Sequence, residues 1–295
     1  MSMQKRDIKE TITAQIIDMI KDAQATGSDF TLPFKTLGGK PTNALTRKAY
    51  RGMNALWLGM LGIRTVATYN QWQTLGYQVQ KGSKSVGISV PMIGKDKKTG
   101  ENKMFGFRGA SVFPASQVLH AETGESWSEP DLGERVDLTE RLEAVDQYVT
   151  NLGFDIRHST EGGAYYQPAN DFIHMPERDQ FIATATSTAT ECYYSTLLHE
   201  SAHCTGHSSR LDRLELKNKK GYSFEELVAE LSAAFLCNHL DVSSTPRADH
   251  AQYLNSWLQA LSGDNDYIFK AASEAQKVMD WMDAAQAEIS INKAA

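Results

Sequence analysis

The chain has 295 residues, 41% of them apolar and 22% charged. Those values suit one large or two ordinary globular domains and exclude wholesale disorder or a fibrous repeat. The net charge of −6 hides a split: residues 1–120 carry 17 Lys+Arg against 7 Asp+Glu, and residues 121–295 carry 13 against 29. A basic half joined to an acidic half points to a nucleic-acid or membrane contact in the basic part. The longest uncharged apolar stretch, Gly52 to Ile63, is too short to span a bilayer. The charged opening MSMQKRDIKE does not read as a secretory signal. Cys192, Cys204 and Cys237 form no disulfide framework, so free thiols in a reducing compartment are expected. The expectation is a soluble, cytoplasmic protein without a membrane partner.

In chain order, Ile8, Ile12, Ile16, Ile17 and Ile20 predict a helix over 5–26, which Gly27 stops. Residues 28–50, with Pro33, Gly38, Gly39 and Pro41, read as an ordered loop. Helices are predicted over 52–63 and 68–76. Strands follow at 77–80 and 86–90, then a charged hairpin tip at 94–103, then strands at 104–107 and 110–113. The polar, acidic run 121–136 is the best boundary. Beyond it come a helix over 137–152, strands at 154–158 and 164–175 turning at 168–171, and helices over 189–205, 223–240, 247–262 and 264–289. The fold class is α+β in two domains, 1–125 and 137–295, with an acidic linker at 126–136.

The motif that carries chemistry is His199-Glu200-Ser201-Ala202-His203, an H-E-x-x-H. Thr188 and Glu191 have capping-box spacing and start its helix. At i and i+4 the two histidines share one face and can share a divalent metal, with Glu200 beside them to take a proton from an activated water. A catalytic zinc needs a third ligand and one open position. Position 209, where one pattern needs His, is Ser209, and His207 serves only if the chain bends past Gly206. Glu226 and Glu230 lie one turn apart in SFEELVAELSAAFL. This resembles the third-ligand helix of thermolysin-like zincins, which makes Glu226 the ligand and Glu230 the acid that supports a histidine. The helical wheel argues the other way, because Glu230 lies nearer the apolar face than Glu226. Cys204 reads as a small packed residue beside His203. Tyr165, Tyr166, Tyr193, Tyr194, Tyr222 and His207 are all candidates to stabilise an oxyanion.

Phe172-Ile173-His174-Met175-Pro176, then YYSTLLHESAHCTGHSSRLDR, then EELVAELSAAFL resembles the zincin-like metallopeptidase domain of ArdC-type antirestriction proteins. The segments YRGMNALWLGM (50–60), NQWQTLGYQVQKGSK (70–84) and ASVFPASQV (110–118) resemble the N-terminal domain of that family. Cys204, where Trp is frequent, and Pro114, where Asn is common, depart from its pattern. The resemblance implies an N-terminal domain that binds single-stranded DNA. It also implies a plasmid- or phage-borne protein that protects incoming DNA from host restriction during conjugation.

Single-strand binders pair cations with aromatic platforms. Lys40, Arg47, Lys48, Tyr50, Arg51, Arg64, Tyr69, Trp72, Lys81 and Lys84 are the candidates for DNA contact. Trp57 reads as core, while Trp72, in a more polar run, reads either as core or as a platform. The turn at Lys81-Gly82-Ser83-Lys84 suits a phosphate. No base-reading motif is evident, so binding without sequence preference and steeply dependent on salt is expected, with double-stranded DNA bound more weakly. The combined reading is an antirestriction protein with one divalent ion, zinc first and manganese or cobalt next. That ion sits on His199, His203 and Glu226, Glu200 is the general base, and an unidentified protein, such as a host restriction component, is the substrate. The rival reading is a DNA-shielding protein whose metal is structural or regulatory.

Overall fold

The computed structural model describes residues 7–26, 40–96, 99–129, 138–184, 187–214, 219–242 and 250–294. Residues 28–39 of the expected loop, the tip lysines Lys97 and Lys98, and residues 130–136 of the expected linker lie outside them.

Helix α1 (Ile8–Thr26) buries Ile12, Ile16 and Ile20, each four residues from the next. Removing each side chain from water stabilises by roughly 1.5–3 kcal/mol. Strand β1 (Thr42–Asn43) precedes α2 (Gly52–Met60), which is buried on almost every side. Strand β2 (Thr65–Ala67) leads into α3 (Tyr69–Thr74). There Thr68 and Gln71 close a capping box that satisfies two backbone donors at the helix start. Then come β3 (Tyr77–Val79), β4 (Val86–Lys95), β5 (Asn102–Pro114) and β6 (Val118–His120). The two strands expected at 104–107 and 110–113 are one strand. Arg108 and Gly109, which divided the expected strands, pair regularly with Val90 and Ser89, and the β-bulge falls earlier, beside Gly106 at φ +139°. The second half contains α4 (Leu138–Thr150), β7 (Asp155–Ser159), β8 (Tyr165–Gln167), β9 (Phe172–Pro176), α5 (Ala189–Thr205), α6 (Lys219–His239), α7 (His250–Gly263) and α8 (Tyr267–Ala294).

Among the described residues there are three sheets. One runs β1-β2-β5-β4, with β1 parallel to β2 and the other pairs antiparallel. The second pairs β3 with β6. The third runs β7-β9-β8, with β7 parallel and β8 antiparallel to β9. Helix α5 lies on β8 and β9, α6 packs on α5, and α8 packs on α6 and α2.

The main core joins the two halves. Ile12, Ile16 and Ile20 of α1 and Leu56 and Trp57 of α2 belong to one cluster with Leu198, Leu231, Leu236 and Ala275. Ion pairs follow the same seam, Lys9 to Asp266 at 2.6 Å and Arg51 to Asp280. So part of the basic half spends its charge on the acidic half. Two smaller clusters, around Trp72 and around Leu58 with Val112, hold the N-terminal sheets.

Candidate metal centre

Thr188 caps α5 as its spacing predicts: its hydroxyl accepts from Glu191 N at 3.2 Å, and Glu191 Oε2 accepts from Thr188 N at 2.9 Å. The helix then runs unbroken through His199 and His203, whose Nε2 atoms stand 3.1 Å apart. From α6, Glu226 brings one oxygen to 3.7 Å from His199 Nε2 and the other to 3.7 Å from His203 Nε2. One ligand atom from each of the three residues fits within 4.8 Å of the others.

The opposite nitrogens face different carboxylates. His199 Nδ1 lies 3.1 Å from Glu230, and His203 Nδ1 lies 3.0 Å from Glu225. The hydrogen bond from His203 Nδ1 to Glu225 favours the tautomer with its hydrogen there, and the charge of Glu230 beside His199 Nδ1 favours the same on His199, which turns both Nε2 lone pairs inward. Two lone pairs and a carboxylate then face one small space. Three acceptors without a donor repel one another unless a cation joins them, so the donor set fits a divalent metal.

The titration behaviour has the same cause. Burial opposes charge on His203, but Glu225 and then Glu226 outweigh it and hold its pKa up at about 10. Burial would raise Glu226, but hydrogen bonds from His199 and His203 outweigh it and hold that carboxyl far below the usual range. Without a metal, a proton takes the cation's place.

Glu225 is held by Arg213. The guanidinium donates from Nε to Glu225 Oε2 at 3.0 Å and from Nη2 to Oε1 at 2.8 Å. It also donates to Ala202 O at 2.6 Å and Thr205 Oγ1 at 2.9 Å, both on α5. This fork ties the histidine helix to α6. Sequence reasoning missed both residues. The available signal was a third acid, Glu225, next to Glu226 on a helix that is otherwise almost wholly apolar.

Glu200 is 2% exposed, and its charge acts on His203. His207 hydrogen-bonds Ser209 at 2.8 Å and is not one of the three converging residues. Cys204 is buried, and burial pushes its thiol up to about 12. Arg210 packs against Cys204 and pairs with Asp171, which also accepts from Tyr166 Oη at 2.7 Å, so the chain leaving α5 is pinned to the β8–β9 turn. Of the tyrosines, Tyr166 is thus engaged, Tyr193 meets His158 at 2.8 Å, and Tyr194 accepts from Arg178. Tyr165 and Tyr222 are exposed.

The candidates for DNA contact scatter over the N-terminal half. Lys40, Tyr50 and Arg51 line a cavity of about 190 Å³ against α8, where Arg51 pairs with Asp280. Arg47 is exposed and lies over the ring of Trp127, 5.4 Å from its centre. Lys48, Lys81 and Lys84 are exposed, and Arg64 is half-buried. Tyr69 is exposed and meets Phe113 edge-on. Trp72 is not a platform. It is fully buried, its Nε1 donates to Phe113 O at 2.9 Å, and Tyr77 and Trp127 pack edge-on against it. Trp57 is core, as expected.

Two family models match: the N-terminal domain of anti-restriction factor ArdC over residues 6–113, and a zincin-like metallopeptidase over residues 143–274. The Sinorhizobium fredii protein y4eC is 36% identical over 97% of this chain and 95% of its own length. Escherichia coli DNA primase TraC is 31% identical over 94% of this chain, which spans only 27% of that protein. Among solved structures, the antirestriction protein ArdC of plasmid R388 is similar in two forms. The metal-free form is 34% identical with TM-score 0.72, covering 96% of this chain and 98% of that one. The Mn(II)-bound form is 33% identical with TM-score 0.73, covering 95% and 98%.

Proposed function

Since the chain belongs to the ArdC antirestriction family, we propose that it binds single-stranded DNA through its N-terminal domain and acts through a metal-dependent peptidase site in its zincin-like domain, protecting plasmid DNA that enters a restricting host. We set the boundary between the domains at the polar run 121–136, a reading supported by its lying between the matched segments, which end at 113 and begin at 143. The observation that carries the reading is the convergence of His199, His203 and Glu226, with a separate carboxylate beside the outer nitrogen of each histidine.

His199, His203 and Glu226 would hold one divalent ion, zinc or manganese. The manganese form of the R388 protein supports a divalent site of this kind. When bound, such an ion supplies Lewis acidity and makes water a competent nucleophile near neutral pH. Glu200, one residue after His199, takes the proton of the attacking water and delivers it to the leaving amine. Glu230 and Glu225 fix the two imidazoles, and Arg213 fixes Glu225. The substrate is a protein of the recipient cell, and a restriction component fits the proposed role.

One observation favours the shielding alternative: His199 and Glu200 are each only 2% exposed, which limits access for a polypeptide. Glu200→Ala separates the two readings. The variant is expected to keep one equivalent of metal and full affinity for single-stranded DNA but to lose protection in a conjugation assay into a restricting host. Protection at the wild-type level would mean that proteolysis is not the mechanism.

A further inference from the structure

Met92, Ile93, Met104, Phe105 and Phe107 are 41%, 66%, 55%, 59% and 37% exposed. Alternation along the ribbon puts Met92 and Phe105 together on one face, against Gly106 and Gly94, while Met104 and Phe107 face Lys9 and α8 on the other. Scattered exposed apolar residues are ordinary, but a contiguous patch marks a contact surface.

The ribbon is built to present one ring. The register shift leaves Phe105 as the extra residue, opposite no partner. A bulge of this kind re-aims a side chain. The ring of Phe105 lies over Gly94, where an added Cβ would stand 3.1 Å from its edge. Phe105 is therefore backed by its own ribbon and open on its outer side.

The charges around it differ from those of the seam with the second half. Along the seam, Lys9, Arg51, Lys270 and Lys277 each pair with a carboxylate. On the ribbon, Lys103 pairs with Asp96 at 3.2 Å, while Lys95 and Arg108 pair with no acid among the described residues. Lys95 and Arg108 lie on either side of Phe105 along the ladder, Lys95 opposite Asn102 and Arg108 opposite Val90, and cations flanking a supported aromatic ring match single-stranded nucleic acid, with its charged backbone and stackable bases. An apolar protein partner would leave those cations uncompensated.

We propose that the outer β4–β5 ribbon is a single-strand clamp, in which Phe105 stacks on a base while Lys95 and Arg108 hold phosphates on either side of it. This rests on the reading that the chain binds single-stranded DNA. The test uses the full chain and an oligo(dT) of roughly 20 nucleotides, long enough to cover a site of this type. Phe105→Ala and Phe105→Leu are each expected to weaken binding about tenfold, because leucine restores bulk but not stacking. Phe105→Trp is expected to retain binding and to report it as quenched tryptophan emission. Arg108→Ala is expected to flatten the salt dependence by about one counterion. All four variants should unfold at the wild-type temperature, since both side chains are exposed. If wild type binds and Phe105→Ala and Phe105→Leu bind equally well, the clamp is wrong while DNA binding stands. If wild type shows no salt-dependent binding, both fall. If Phe105→Ala changes only the oligomeric state, the patch is a self-association surface and the clamp is again overturned.

Discussion

Arg213→Ala removes the fork that ties Glu225 to the histidine helix. Four hydrogen bonds go with it, two to Glu225 and two to α5. The side chains of Arg213 and Glu225 are 8% and 4% exposed, so the carboxylate left behind is buried without its fixed countercharge. Breaking one side of such a pair costs about 3–5 kcal/mol, a fall in unfolding temperature on the order of 10 °C for a chain of this size. Metal affinity should drop roughly 10- to 100-fold as His203 loses its steadied partner. Thermal unfolding in chelator gives the first quantity, and Mn(II) titration gives the second. The double variant Arg213→Ala/Glu225→Ala separates the two effects. Stability should partly return, because no orphaned charge remains, while metal affinity stays low, because His203 still lacks its acceptor. Wild-type stability and metal affinity in Arg213→Ala would refute the positioning chain.

Four further outcomes follow from the geometry. Because His203 is held up at about 10 without metal, binding must displace a proton at neutral pH, and affinity should rise as pH rises from 6.5. Calorimetry in buffers of different ionisation enthalpy should show about one proton released per ion. In the metal-free protein, the raised His203 stabilises fully below 6.5 and loses that contribution as pH climbs toward about 10. The lowered Glu226 stabilises above 4.5 and loses its contribution in acid, so a stability plateau between about 4.5 and 6.5 is expected from chelated unfolding curves. Trp72→Ala should cost about 3–5 kcal/mol through a cavity in the core, whereas Trp72→Phe should bind oligo(dT) as wild type does. A loss of DNA affinity in Trp72→Phe without loss of stability would restore the platform reading. Gly87→Val should lower the unfolding temperature, because even a Cβ there would meet Ile8 Cδ1 at 2.8 Å and make Ile8 turn aside where α1 rests on β4.

The histidine helix was legible because its signals are local: a capping box, a motif at i and i+4, and an apolar side. The pairing of strands was less so. Strands of two or three residues, such as β1 and β2, have no periodicity to detect, and Arg108-Gly109, read as a break, pairs regularly with Val90 and Ser89 inside one strand. Trp72 stood between two readings because what settles it is a hydrogen bond to Phe113, 41 residues away. The choice between Glu226 and Glu230 was likewise a question of which nitrogen each carboxylate meets. The wheel placed Glu230 nearer the apolar face, and it is found beside His199 Nδ1, on the far side from the converging Nε2 atoms. Arg213 and Glu225 lie 12 residues apart on different elements, and nothing in a single sequence joins them. The charge split also changes meaning. The basic half does not offer all its cations to a ligand, since Lys9 and Arg51 hold the acidic helices.

The claim on which the rest depends is that His199, His203 and Glu226 hold the ion and Glu230 only steadies His199. Elemental analysis of purified protein tests it directly, with wild type, Glu226→Ala and Glu230→Ala treated alike. Wild type should carry one equivalent of a divalent metal, Glu226→Ala none, and Glu230→Ala one equivalent that chelator strips more readily. A full equivalent in Glu226→Ala, with none in Glu230→Ala, would contradict it.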